Sequence, residues 1–411
     1  MKSGLHLSLA LTMLAAPAAQ AADFTLPPGF SATVFADGLV GARHLTVRAN
    51  GDVLVSMSGD DKGVVVLRDA NHDGKADGQG KRFGDLRGTG IALAGADTLF
   101  FAADTSVWRY RLNADSMPVG KPVLVVDGWT QQQQHGSKSI ALDGHGGLYV
   151  AVGAPSNSCQ KDDRQPGSRG QQPCPLLNQY GGVWRYDANG ANQKASSGDH
   201  WVTGARNLVA ITWDAQAGAL YGVMHGRDQL HDLWPAYFTE KQSTELPAEE
   251  FHRLDRGADL GWPYSYWDPF ANVRRLAPEY GGDGQKTVES DHYRRPLWSF
   301  PAHWAPNDIM IYTGKAFPKS YQGGAFIAFH GSWNRAPLPQ QGYRISFVPM
   351  TGGKVTGKAM DFATGFAGSK PISSPGEADF RPDGLAMGPD GALYIADDAK
   401  GRIWKVTYQG Q

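Results

Sequence analysis

Six times along the 411-residue chain a short apolar run meets a Gly-rich turn, a second apolar run follows, and a third closes with an aliphatic or aromatic stripe. The clearest copies are GSKSIALDGHGGLYVAVG from Gly136 with GGVWRYD from Gly181, and PDGLAMGPDGALYIADD from Pro382 with GRIWKV from Gly401. Looser copies start at Leu45, Gly90, Leu208 and Gly323. A strand-turn-strand unit that cannot bury its own face must stack on its neighbours, so the repeat predicts a radial or solenoid architecture. Alternating Leu148, Val150 and Val152 fit strands with one buried face, and helical periodicity is almost absent. The expected fold is all-β, a six-bladed β-propeller over residues 22–411 as a single domain, whose closure leaves only short, protected edges. A strand around Phe30 to Phe35 is expected to complete the last blade, and residues 228–309, dense in Trp, Tyr, His and Pro, read as a long loop insertion.

Composition narrows the partners. Lys and Arg number 39 against 40 Asp and Glu, so there is no electrostatic footprint for nucleic acid or anionic lipid, and a small neutral partner is favoured. Residues 1–21 carry Lys2, an apolar stretch and a small-residue exit at Ala19–Gln20–Ala21, the pattern of a secretory signal peptide. No later segment reaches the roughly 18 apolar residues of a membrane span. The mature chain is therefore expected to be periplasmic or secreted. There the two cysteines, Cys159 and Cys174, are expected to form a disulfide closing their loop.

Two constellations could carry chemistry. Asp69, Asn71, Asp73, Lys75 and Asp77 in DANHDGKAD have the oxygen spacing of a calcium loop, with Gly74 at the sharp turn, but Gly80 stands where the closing glutamate belongs. Either a structural calcium site or a solvated Asp/Asn turn satisfies the motif. The second constellation places cationic or imidazole groups next to strand ends: His135 and Lys138, Arg206 and Asn207, His225 and Arg227, His303, His330 and Arg335, and Arg381. Equivalent strand ends of a propeller face one axial funnel, so these groups can converge on an anionic ligand, although each alone reads as a surface charge or a loop brace.

At these residues the chain resembles the soluble quinoprotein sugar dehydrogenases, the glucose/sorbosone and pyranose dehydrogenase group. The similarity runs from LPPGFSATVFADGL at Leu26 to GRIWKV and is strongest at QHGSK, GARN, HGRDQL with LGWPY, PAHWAP and FRPDGLAMGPDG. It implies a propeller that holds pyrroloquinoline quinone (PQQ) and Ca²⁺ and oxidises a sugar, passing electrons to a separate acceptor. It further implies His135 as general base, Arg206 and Asn207 on the cofactor's oxygens, and the backbone carbonyls of Gly226 and Arg227 on the cofactor's calcium. His303, Arg335 and Arg381 fall to the cofactor's remaining contacts, with His330 and Lys138 completing the set. HGSWNR lacks the lysine and FRPD the second arginine of the glucose enzyme, which places the chain nearer the sorbosone and pyranose branch. The absence of a GxGxxG between strand and helix gives no support to a nicotinamide site. Two rivals share the fold: a calcium-dependent lactonase or esterase, and a non-enzymatic glycan- or protein-binding propeller.

Overall fold

The computed structural model describes residues 24–288 and 291–410. The signal-peptide expectation lies outside these residues. Six sheets are arranged around one axis, each with four antiparallel strands, two of them extended by a two-residue parallel fifth strand. Their innermost strands are Ala42–Val47, Gly88–Ala94, Lys138–Leu142, Ala210–Asp214, Pro306–Ile311 and Pro382–Met387, here blades I to VI. Each innermost strand neighbours the next, and that of blade VI returns to blade I, so the ring is closed. The closing strand of blade VI comes from the other end of the chain. Phe30–Ala36 pairs antiparallel with Ile403–Tyr408, with Phe30 opposite Tyr408 and Val34 opposite Trp404.

The alternation of apolar residues has a different basis from the one expected. The second strand of each blade is buried on both faces, as in Val53–Met57, Gly147–Val152 and Leu393–Asp397. In blade II, Phe100 packs toward blade III while Leu99 and Phe101 pack toward blade I. In blade III, Tyr149 joins the cluster shared with blade IV and Leu148 and Val150 the one shared with blade II. Six apolar clusters thus fill the six spaces between blades. A sheet sandwiched by two neighbours needs apolar groups on both sides, which is why these strands read as near-continuous hydrophobic runs.

Residues 228–309 are more structured than a loop. They hold the third and fourth strands of blade IV, Glu249–Arg253 and Trp298–Phe300, and a hairpin, Ser265–Asp268 with Val273–Leu276. A short helix, Leu230–Leu233, and the turn after it share a small core of Leu230, Leu233, Trp234, Phe238 and Tyr266 with that hairpin, and a second short helix, Glu240–Glu245, follows. Aromatic density hid the strands, because Trp and Tyr serve loops and sheets alike. Cys159 and Cys174 are joined, and the bridge packs under Trp262. Among the described residues no helix is long and apolar enough to cross a membrane.

Candidate active site

The site lies where the innermost strands begin. Connections entering these strands and connections leaving the second strands emerge on the same face, and their side chains wall a cavity of about 210 Å³. His135, Arg206, His225, Gly226, His303, His330 and Arg381 all line it, so residues from four blades, far apart in sequence, meet in one pocket. Asp228, Glu249, Asn307, Trp333 and Asn334 line it as well. None of these five was expected. Asp228 and the Trp333–Asn334 pair sit inside quoted motifs, but Glu249 opens a strand in PAEEF with no local signal.

The imidazoles are fixed by carbonyls and carboxylates. His135 adopts a left-handed backbone, φ 52°, which turns its ring toward Ala154. Its Nδ1–H donates to the Ala154 carbonyl at 2.5 Å, because a carbonyl only accepts. Nε2 therefore carries the lone pair and has no partner among the described residues. Burial, reinforced by the Arg206 charge, pushes the His135 pKa down to about 3, so the ring is neutral at any physiological pH. His225 donates from Nε2 to the Pro306 carbonyl at 2.7 Å, and burial lowers its pKa to about 4. His303, also lowered by burial, donates from Nε2 to the Ser243 carbonyl at 2.8 Å and turns Nδ1 to within 3.9 Å of Asp228. His330 accepts at Nδ1 from Arg381 Nη2 at 2.9 Å, since guanidinium can only donate, and so its Nε2–H donates to Asp398 at 2.8 Å.

The charged groups differ in how much capacity they have left. Arg206 spends four of its five N–H donors inside the protein: it donates to the Gly226 carbonyl at 2.9 Å, to both the main-chain and side-chain oxygens of Asn157, and to Asp228 at 2.6 Å. Burial opposes ionisation of Asp228, yet Arg206, His303 and Arg164 hold its carboxyl well below the usual range. Glu249 accepts only backbone N–H groups, from Gly226 at 2.7 Å and Ala305 at 3.0 Å, and burial pushes it up to about 7. Arg381 spends Nε and Nη2 on His330 and Gly331, while Nη1 makes no hydrogen bond among the described residues. Asn334 Nδ2 is buried without a partner among them. Trp333, 56% exposed, stands at the mouth.

The side chains of four expected site residues do not line the cavity. Arg335 is buried in the wall, donating to the carbonyls of Thr244 at 2.8 Å and Ala302 at 3.3 Å, so it braces the loop and does not reach the cavity. Lys138 is wholly buried and donates to Gln132 Oε1 and the Gly136 carbonyl. The Arg227 side chain turns away from the cavity into a buried ion pair with Glu279 at 2.6 Å, which leaves its backbone, the part expected to act, beside Gly226. Asn207 is buried beside Gly153, next to His135, but behind the cavity wall. At the calcium-like loop, Asp69, Asn71 and Asp73 accept N–H groups of their own turn. Among the described residues the group of three His, Cys, Asp or Glu ligand atoms within 4.8 Å of one another is His330, Asp383 and Asp398, not the loop aspartates. That group already surrounds a cation, with Arg43 Nη1 lying 2.7 Å from Asp383 and 3.2 Å from Asp398.

Comparison with known proteins fits this geometry. A family model described as TrAA12-like matches residues 24–409. A PQQ-dependent pyranose dehydrogenase of Coprinopsis cinerea is 26% identical over 263 residues, 57% of this chain and 32% of that protein. An uncharacterized protein of Borreliella burgdorferi is 26% identical over 53% of this chain and 51% of its own length. The aligned region thus spans about half or less of these curated relatives. Among solved structures, the holo PQQ domain of the Coprinopsis cinerea pyranose dehydrogenase superposes with a TM-score of 0.73 at 20% identity, covering 95% of this chain and 98% of that one. A calcium structure of the Trichoderma reesei family AA12 enzyme gives 0.73 at 19% identity, covering 94% and 97%. The apo soluble aldose sugar dehydrogenase of Escherichia coli gives 0.60 at 18% identity, covering 92% and 99%. At these identities the superpositions establish the six-bladed propeller fold.

Proposed function

This chain belongs to the TrAA12-like family, and on that premise we propose that it is an exported dehydrogenase oxidising an aldose, pyranose or sorbosone-like sugar with PQQ and Ca²⁺. The observation that carries the proposal is the asymmetry of the cavity: an imidazole with a free lone pair at His135 Nε2, unspent donors at Arg381 Nη1 and Asn334 Nδ2, and carboxylates at Asp228 and Glu249.

The residues present fit both groups. Arg381 Nη1 and Asn334 Nδ2 are suited to carboxylate or quinone oxygens of a planar triacid, and Arg381 is braced for the task by His330 and Asp398. Asp228, Glu249 and the Gly226 carbonyl supply the hard oxygen ligands that Ca²⁺ takes, and Glu249 is a buried carboxylate whose hydrogen-bond partners are both backbone N–H groups. When bound, PQQ supplies a two-electron hydride acceptor and Ca²⁺ a Lewis acid.

His135 acts on the substrate. Its Nε2 would take the proton of the sugar hydroxyl while the carbon bearing it gives up a hydride, for which bound PQQ would be the acceptor, and becomes a carbonyl; the two electrons then pass to a separate acceptor. The Ala154 carbonyl keeps the accepting nitrogen on the cavity side and stabilises the imidazolium that forms. Trp333 at the mouth offers a flat apolar face to a sugar ring.

The test supplies metal-free protein with PQQ and CaCl₂ and follows reduction of an artificial dye with a panel of aldoses and sorbosone. Turnover that needs PQQ and at least one sugar is expected, and His135→Asn should bind PQQ yet lose about 10²- to 10⁴-fold in kcat. Folded protein without cofactor-dependent turnover on any sugar would return the choice to the hydrolase or binding propeller.

A further inference from the structure

His135 is held in place by a buried pair, Gln132 and Lys138, that does not line the cavity and whose hydrogen bonds go to neutral acceptors, with Asp104 the carboxylate whose charge reaches the lysine. Lys138 is the first residue of the innermost strand of blade III and is wholly buried. Its ammonium donates to Gln132 Oε1 at 3.0 Å and to the Gly136 carbonyl at 2.7 Å. Gln132 in turn donates from Nε2 to the carbonyls of Gln134 at 3.2 Å, His135 at 3.4 Å and Gly153 at 2.9 Å. One ammonium and one amide therefore tie the turn from Gln132 to Gly136 to the segment Gly153–Ala154. That segment contains the carbonyl on which the His135 ring depends.

Two further features make the tie specific. His135 occupies a left-handed conformation, φ 52°, uncommon for a residue with a Cβ, and the turn's hydrogen bonds to Gln132 help hold it there. Gly153 lies so close beneath that a Cβ there would come 2.5 Å from His135 Cβ and 2.9 Å from the His135 carbonyl carbon's oxygen. A buried ammonium among neutral acceptors is costly, and burial lowers its pKa to about 8, so an apolar residue would serve simple packing better.

We propose that Gln132 and Lys138 are positioning residues for His135, fixing its Nδ1–H tautomer and the direction of its Nε2 lone pair. The assignment of His135 as the base rests on the function proposed above; its positioning does not.

The experiment reads the imidazole directly. Long-range ¹H–¹⁵N spectra of labelled histidine in cofactor-free protein are recorded across pH for the wild type, Gln132→Ala and Gln132→Glu, with the His135 signal assigned by its loss in His135→Asn. Gln132→Glu keeps an acceptor for Lys138 and adds an ion pair, so the fold is held, but it removes the donors to the three carbonyls. In the wild type a neutral Nδ1–H tautomer should persist to below about pH 5, since ordinary imidazole titrates near 6.5. Both variants should show mixed tautomers and titrate at least ten times more readily, with kcat down tenfold or more and PQQ affinity within about twofold. Folded variants whose His135 tautomer and titration match the wild type would overturn the proposal, whatever the turnover. Altered tautomers in a protein that oxidises no sugar would instead leave the positioning intact and refute the function.

Discussion

Asp308 gives the sharpest quantitative test of the fold's electrostatics. It sits on the innermost strand of blade V, 6% exposed, and lines the axial channel that opens on the face opposite the active site. Its two oxygens accept from the N–H of Ile309 at 2.8 Å and from the N–H of Leu385 on blade VI at 2.8 Å, so the carboxyl bridges two blades. Burial nevertheless outweighs these bonds and the nearby His44, and raises its pKa from 3.8 to about 6. Between those values the folded protein keeps a proton that the unfolded chain releases, so the native state binds more protons and stability must fall as pH rises through the window. The rise is worth about 3 kcal/mol at neutral pH, at about 1.4 kcal/mol per pH unit. Asp308→Asn removes the titration but leaves one of the two N–H groups without an acceptor, a loss of about 1 kcal/mol. Urea unfolding at a series of pH values should find the variant about 1 kcal/mol less stable than the wild type near pH 4 and about 2 kcal/mol more stable near pH 7.5. A difference between the two proteins that stays constant within about 0.5 kcal/mol across that range would show that Asp308 is not held protonated by its site.

Two further outcomes separate residues that resemble each other in sequence. Arg381→Gln should weaken PQQ binding by about 10- to 100-fold through loss of a charge-assisted donor, whereas Arg335→Gln should lower the melting temperature and leave PQQ affinity within about threefold; titration calorimetry and thermal unfolding decide it. Replacing Cys159 and Cys174 together by serine opens a loop of 15 residues and should cost about 3 kcal/mol in denaturant unfolding under oxidising conditions, with no difference once the wild type is reduced.

The fold was legible because its signal repeats. Any one copy, such as LTVRANGDVLVSMSG from Leu45, is ambiguous, but six copies point to stacked repeats, of which a closed ring is one form. What strand patterning could not convey is that both faces of Val53–Met57 are covered, because periodicity reports only contrast between faces. At the site, proximity to strand ends located His135, Arg206, His303, His330 and Arg381 in one cavity. The same rule also selected Lys138 and Arg335, whose side chains are drawn backward by carbonyls of neighbouring turns. Side-chain direction depends on those partners, and Gly136, Thr244 and Ala302 carry no mark in a sequence of their role as acceptors. Glu249 escaped for the opposite reason: a carboxylate at the start of a strand looks like a solvent-facing charge until the loops of two blades close over it.

The seam of the ring has a consequence for how the molecule comes to exist. Ser31 and Thr407 meet across the last sheet although 376 positions separate them. Until the strand Ile403–Tyr408 has been made, the strand Phe30–Ala36 has no edge to join, and the toroid can be only an open arc with a sticky end. Such long-range closure is entropically slow and invites a second molecule to donate the missing strand. The same seam, once zipped, couples the fates of its two strands, so that fraying of either one loosens the ring as a whole.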